Sequence, residues 1–127
     1  MDMHLETAAR GLISSYDVGV LGIDGRDYHD NILVAHGRVI ERWFDGPVAE
    51  LEPRHFDPLF ETAGDVPDIC LLGTGREHVF PPMSLLAALR ERGVALEVMN
   101  TRAACRTYSV LVNEERTVAA ALLQIER

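Results

Sequence analysis

Two short stretches carry the residue types from which a site could be built: Gly73-Thr74-Gly75-Arg76, and the run from Thr101 to Tyr108 with Arg102, Cys105 and Arg106. A glycine-rich turn between a strand and a helix can offer backbone N–H groups to an anion. This one is not a nucleotide P-loop, since no Gly-Lys-Ser/Thr follows. Nor is it a dinucleotide fingerprint, since the third glycine is missing. The plain alternative is a tight turn that needs positive φ, and the glycines alone favour it. In the second stretch Thr101 serves as an N-cap, which sets Arg102 and Arg106 one helical turn apart. Cations at the positive end of a helix are locally unfavourable, so they call for a partner. That partner is an anionic ligand or a carboxylate such as Glu97, Glu114 or Glu115, and ion pairs are the commoner outcome. Together the stretches outline a small-anion cleft of Gly73, Thr74, Gly75, Arg76, Thr101, Arg102 and Arg106.

Nucleophilic chemistry is less well supplied. Cys105 lies near a helix start with arginines on either side, surroundings that lower a thiol pKa. A cysteine nucleophile also needs a base and an orienting group. Among His4, His29, His36, His55 and His78 none stands at a recognisable spacing, and His78 alone falls near this edge. Cys105 therefore reads as structural, no catalytic residue is assigned, and the balance leans against an enzyme. No metal set forms either: HxH and HExxH are absent, and Cys70 and Cys105 are too few for a structural zinc. Asp24, Asp27 and Asp30 are turn acids without the bidentate glutamate of a calcium loop. No cofactor is expected. Trp43 and Phe44 read as core, although an exposed Trp43 would mark a protein contact.

The totals bound the rest. The 127 residues fit one domain, and 47% hydrophobic with 25% charged residues is ordinary for a globular chain. A formal charge of -8 argues against nucleic acid and against an anionic membrane surface. The amino terminus does not resemble a signal peptide, and no apolar run is long enough to insert in a membrane. Two cysteines without a CxxC pair suit a reducing, cytoplasmic setting.

These stretches need a scaffold. Asp68 to Thr101 reads as strand (Ile69 to Leu72), glycine turn, helix (Met83 to Arg92, with Pro82 in its first turn and Gly93 as cap) and strand (Val94 to Met99). This is a βαβ unit, whose crossover is right-handed in nearly all cases. Its helix buries Leu85, Leu86 and Leu89. A helix from Thr101 to about Asn113 turns Ala104, Tyr108 and Leu111 inward. The apolar run Thr117 to Ile125 is a strand covered on both faces, its alanines allowing close helices. Upstream, a β-like pattern from Tyr16 through Val18, Val20, Leu21 and Ile23, a strand carrying Tyr28, Ile32 and Val34, and a third carrying Val39, Ile40, Trp43 and Phe44 form an antiparallel meander with turns at Asp24-Gly25 and His36-Gly37. Pro53 opens a short, Pro58-disturbed helix with Phe56, Leu59 and Phe60 on one face, ending at Gly64. Met3 to Thr7 suits a short edge strand. The division is a β-rich part over about 1–46 and an α/β core over about 53–127.

The strings LLGTG (Leu71 to Gly75), FPP (Phe80 to Pro82), LEVMNT (Leu96 to Thr101), ACRTYSVL (Ala104 to Leu111) and the closing ER-VAAALL stand in one order along nearly the whole chain. Together with the Asp24-Gly25 hairpin and Trp43 they resemble a family of uncharacterised bacterial and archaeal proteins. That family also includes mitochondrial complex I assembly factor three. The resemblance implies one three-layer domain around a mixed sheet. In the mitochondrial relatives it implies help in assembling complex I by protein contact without known catalysis, and for bacterial members no established activity. It leaves the protein partner open. Where the family commonly shows Arg-Thr-Tyr-Asn, this chain has Ser109 after Arg106-Thr107-Tyr108, which weakens any site needing an amide there. The family pattern does not depend on a cysteine at position 105. No transit peptide is evident, so a mitochondrial location is not implied.

Overall fold

Alternation along one strand decides the layers. In the computed structural model, which describes residues 12–61, 65–114 and 117–127, strand β8 (Val118–Leu122) sits at the centre of a five-stranded sheet. Its Ala119 and Ala121 face one buried cluster, and Ala120 and Leu122 face the other. Period-two side chains force this split, because both faces are covered. The sheet order is β5-β4-β8-β6-β7, with β4 Ile32–Ala35, β5 Arg38–Glu41, β6 Ile69–Gly73 and β7 Ala95–Met99. β8 runs parallel to β6 and antiparallel to β4, so the sheet is mixed.

One face is covered by helix α1 (Met83–Glu91) and a 3-10 helix, Pro53–Leu59, which contribute Leu85, Leu89, Phe56 and Leu59. The other is covered by helix α2 (Thr101–Asn113) and a small antiparallel sheet, β1 Ile13–Asp17, β2 Val20–Ile23 and β3 Arg26–Tyr28. Leu21, Ile23, Ala104 and Tyr108 close that side. Each fully buried large apolar side chain contributes about 1.5–3 kcal/mol relative to exposure. Three layers around a mixed α/β sheet result, with β6-α1-β7 as the βαβ crossover.

The antiparallel meander starts earlier than the sequence suggests and ends earlier too. Its strands are β1, β2 and β3, turning at Asp24 (φ 54) and Gly25 (φ 83), the positive-φ pair of a tight hairpin. The single strand expected through Tyr28, Ile32 and Val34 is two strands in different sheets. Asn31 makes the break. Its side chain donates to Phe44 O (2.9 Å) and accepts from Gln124 N (2.8 Å), while its own carbonyl accepts from Arg42 N (2.7 Å). β4 and β5 thereby join the main sheet on the far side of β8.

Other differences are local. The Pro53 segment is 3-10 in character with Pro58 inside it, consistent with a missing donor in the helix interior. Asn100, not Thr101, caps α2: its Oδ1 accepts from Ala103 N at 2.8 Å. Trp43 is core, donating from Nε1 to Leu122 O at 3.2 Å. The edge strand expected at Met3 to Thr7, the helix end at Gly64 and the carboxylate Glu115 lie outside the described residues. Among the described residues no helix is long and apolar enough to cross a membrane.

Candidate functional site

At the carboxyl ends of β6 and β8 one hydroxyl joins three segments. Thr101 is fully buried; its Oγ1 donates to Leu123 O (2.7 Å) and accepts from Gly75 N (2.8 Å). Thr101 N donates to Gly75 O, Thr74 N to Met99 O and Leu123 N to Gly73 O, each at 2.9 Å. Thr74 Oγ1 donates to Glu77 O and accepts from Val79 N (3.1 Å), so the turn is closed on itself. The Thr74 and Gly75 N–H groups that might have cradled an anion are thus spent inside the protein. Gly75 does take positive φ (95°). Gly73 serves a different need, since a Cβ there would stand 2.8 Å from Thr101 Oγ1 and 3.0 Å from Thr101 Cα. Close approach, not turn geometry, requires that glycine.

The turn and the start of α2 are therefore in direct contact, but the arginines lie outside the contact. Arg102 Nη2 is 3.7 Å from Asp17 Oδ1, and Arg76 Nε is 3.9 Å from Glu77 Oε2, with all four side chains well exposed. Such pairs contribute little, about 0–1 kcal/mol. Asp17 belongs to β1 and was not among the carboxylates anticipated, because only tertiary packing brings β1 against α2. Arg76 and Arg102 line a shallow pocket of about 260 Å³ together with Arg127 and Glu126. Arg106, one turn further along α2, is exposed and does not line it.

Burial decides the thiols. Burial pushes Cys105 from an ordinary 9.0 up to about 12, against the smaller lowering pull of Arg106 and Arg102. Burial also pushes Cys70 up to about 12 despite a backbone hydrogen bond at Ala121. Tyr108 rises to about 12 through burial and then the charge of Asp24. A neutral, enclosed thiol is a poor nucleophile. Ser109 Oγ donates back to Cys105 O at 3.2 Å, an internal helix bond. The described histidines are occupied with neighbours. His36 meets Leu59 O, His55 caps Glu52 N, His29 meets Gly19 O, and His78 lies 4.5 Å from the Phe80 ring. Among the described residues no three His, Cys, Asp or Glu side chains cluster as a metal site.

One surface feature escaped the residue-by-residue reading. The loop from the GTG turn into α1 exposes Val79 (42%), Phe80 (72%) and Met83 (78%). The signal was present. Met83 stands off the Leu85-Leu86-Leu89 stripe at helical spacing, and Phe80 sits against two prolines that hold it outside the helix. Beside this ridge a groove of about 490 Å³ is lined by Val79, Val48, Leu123 and Gln124, with Asp45 and Glu126 at its rim. A larger open hollow of about 690 Å³ lies between residues 42–45, residues 49–55 and the start of α1.

Comparison with known proteins follows this geometry. A family model described as a protein of unknown function (DUF498/DUF598) matches residues 13–123. An uncharacterised protein of Rhodobacter capsulatus is 34% identical over 113 residues, covering 87% of this chain and 82% of that one. The zebrafish protein named NADH dehydrogenase [ubiquinone] 1 alpha subcomplex assembly factor 3 is 29% identical over 121 residues, 95% of this chain and 68% of its own. A Francisella tularensis protein named 13 kDa major membrane protein is 30% identical over 76 residues, 60% of this chain and 59% of its own. The chain thus spans under two thirds of that relative. A crystal structure from Bordetella parapertussis superposes with TM-score 0.79 at 29% identity, covering 89% of this chain and 94% of its own. One from Bartonella henselae, described as an outer membrane protein, does so with TM-score 0.79 at 28% identity, covering 92% and 97%.

Two outcomes follow from the buried groups. Thr101→Val keeps the shape but leaves Gly75 N–H without its acceptor and Leu123 O without its hydroxyl donor. A loss of about 1–3 kcal/mol in urea unfolding is expected, whereas Thr101→Ser should retain most of the stability. The folded thiol pKa values lie above their unfolded ones, so the contribution of the neutral thiols is intact below pH 9.0. It is lost as pH climbs toward about 12. Unfolding midpoints should fall across that window, and the Cys70→Ala/Cys105→Ala double variant should flatten the fall. Thiol reagents at neutral pH should label neither cysteine until denaturant is added.

Proposed function

Because the chain belongs to the DUF498/DUF598 family of proteins of unknown function, we propose that it works by docking to other proteins, as an assembly factor does, and carries out no reaction of its own. The observation that carries this reading is the exposed ridge of Val79, Phe80 and Met83. Large apolar side chains grouped on a surface mark interaction sites, whereas isolated ones do not. The enclosed Cys105, whose thiol burial pushes up to about 12, supports the non-catalytic side of the proposal. The assembly role comes from the zebrafish relative's name, which makes subunits of a respiratory NADH dehydrogenase the first partners to examine. The setting proposed is the cytoplasm, which suits two free cysteines. Nucleic acid does not enter the proposal, since the chain carries a charge of -8. Membrane insertion does not enter it, since among the described residues no helix is long and apolar enough to cross a membrane.

The partner should be recoverable by reciprocal affinity capture from the native host, with the Phe80→Asp/Met83→Asp chain as control. We expect at least a tenfold loss of the captured partner. Unfolding stability should stay within about 0.5 kcal/mol, as befits surface positions. Capture that is indifferent to the ridge substitutions would remove the ridge from the reading.

A second reading is favoured by one observation, the meeting of Arg76, Arg102 and Arg127 at a single shallow pocket. We propose it as the small-anion alternative, with Gly73, Thr74, Gly75 and Thr101 holding the pocket's floor in shape and Arg106 adding charge from the next turn. A phosphate or small carboxylate at about 100 times its dissociation constant should raise stability by about 2.7 kcal/mol. Arg102→Ala should abolish that response. A flat thermal response across phosphate, nucleotides and dicarboxylates would end this alternative.

A further inference from the structure

The groove beside the ridge has a chemistry of its own. Its wall is apolar at Val48, Val79 and Leu123, and among the described residues its charged lining is Asp45 and Glu126. Both are exposed, and neither makes an ion pair among the described residues. Gln124 adds a third acceptor. Its Nε2 is spent on Tyr28 O (3.0 Å) and Asp30 O (2.8 Å), which fixes the amide orientation. Its Oε1 is buried with no hydrogen-bond partner among the described residues. A buried acceptor left unpaired costs about 1–3 kcal/mol, so a donor brought to it is rewarded. The side-chain groups named here are thus acceptors, and among the described residues no cation lines the groove.

From this we infer that the groove receives a basic side chain, Lys or Arg, from a segment of a partner protein whose neighbouring large apolar residue covers Phe80 and Met83. The inference rests on the docking reading above and names the partner's chemistry. A volume of about 490 Å³ admits a long side chain and part of the adjoining backbone. The aliphatic stem of Lys or Arg packs on Val48 and Leu123 while its head meets the carboxylates, the usual division of such side chains. Arg in particular presents five donors in a fixed fork, enough for Glu126, Asp45 and Gln124 Oε1 together. Val79 belongs to both groove and ridge, so one short segment spans the two. The carboxylates at the rim favour the basic head, and the apolar ridge supplies the affinity.

The test is selection from a random 12-residue peptide library against the full 127-residue chain. The winners are synthesised and titrated by fluorescence polarisation at low and high salt. Expected winners carry Lys or Arg next to Leu, Met, Phe or Trp. Asp45→Asn/Glu126→Gln should raise their Kd at least tenfold and flatten the salt dependence, and Phe80→Ala/Met83→Ala should raise it at least tenfold at every salt concentration. Winners lacking a basic residue, or keeping their Kd on Asp45→Asn/Glu126→Gln, overturn the inference. If such winners still lose affinity with Phe80→Ala/Met83→Ala, the docking reading survives without it. Peptides that ignore both pairs of substitutions overturn both. So does a chain that binds only sedimented phosphatidylcholine–phosphatidylglycerol vesicles.

Discussion

The hydroxyl of Thr101 is the point on which the rest of the structure depends. It ties the GTG turn after β6 to the first turn of α2 and to the chain leaving β8, through a bond of 2.8 Å and one of 2.7 Å. Such a bond is modest by itself, about 1 kcal/mol net, but leaving its buried partners unsatisfied costs more. The contact is possible because position 73 has no side chain. It also has a consequence for function. Donors that bind Thr101 Oγ1 and Met99 O cannot bind a ligand, so a turn that resembles an anion cradle in sequence is a splice between layers in space. What remains available at this end of the sheet is outside the splice, on the arginines to one side and on the ridge and groove to the other.

Much of the scaffold was legible because it is built from strong periodicity. β6, α1, β7, α2 and β8 follow from apolar runs and helical stripes bounded by Gly73, Gly93 and Asn100. The three-alanine run of β8 announced cover on both faces, and it has it. The break at Asn31 was not legible, since Tyr28, Ile32 and Val34 continue an alternation that any single strand would show. The chain changes sheets there because Asn31 finds Phe44 O and Gln124 N, partners 13 and 93 positions away. The cap of α2 was misassigned by one residue for a related reason. Asn100 and Thr101 are both good caps, and only the tertiary duty of the Thr101 hydroxyl leaves the role to Asn100.

The site was less legible than the scaffold, and the reason is again that sequence spacing does not report solvent. Arg102 and Arg106 stand one turn apart as read, yet only Arg102 reaches the pocket shared with Arg76 and Arg127. Cys105 had the flanking charges of a reactive thiol, and burial outweighs them. Trp43, the aromatic that might have marked a contact, is enclosed, while Phe80 and Met83 lie in water. Aromatic content alone could not distinguish the two. The prolines at 81 and 82 could, because they stop the helix from drawing Phe80 onto the sheet.

An exposed phenylalanine and methionine gain nothing for the isolated chain. Removing apolar surface from water is worth about 25 cal/mol per Å², and a loop with more freedom would fold Phe80 inward. The loop has little freedom. Thr74 Oγ1 bonds Glu77 O and Val79 N, and His78 braces the Phe80 ring at 4.5 Å. Pro82 opens α1. The ridge is thus held in place from the same turn that Thr101 holds from beneath. A partner of the proposed kind would meet a surface already ordered, and preorganisation lowers the entropic cost of binding. The splice at the carboxyl end of β6 therefore serves two ends: it locks the three layers together and it keeps Phe80 and Met83 outside them.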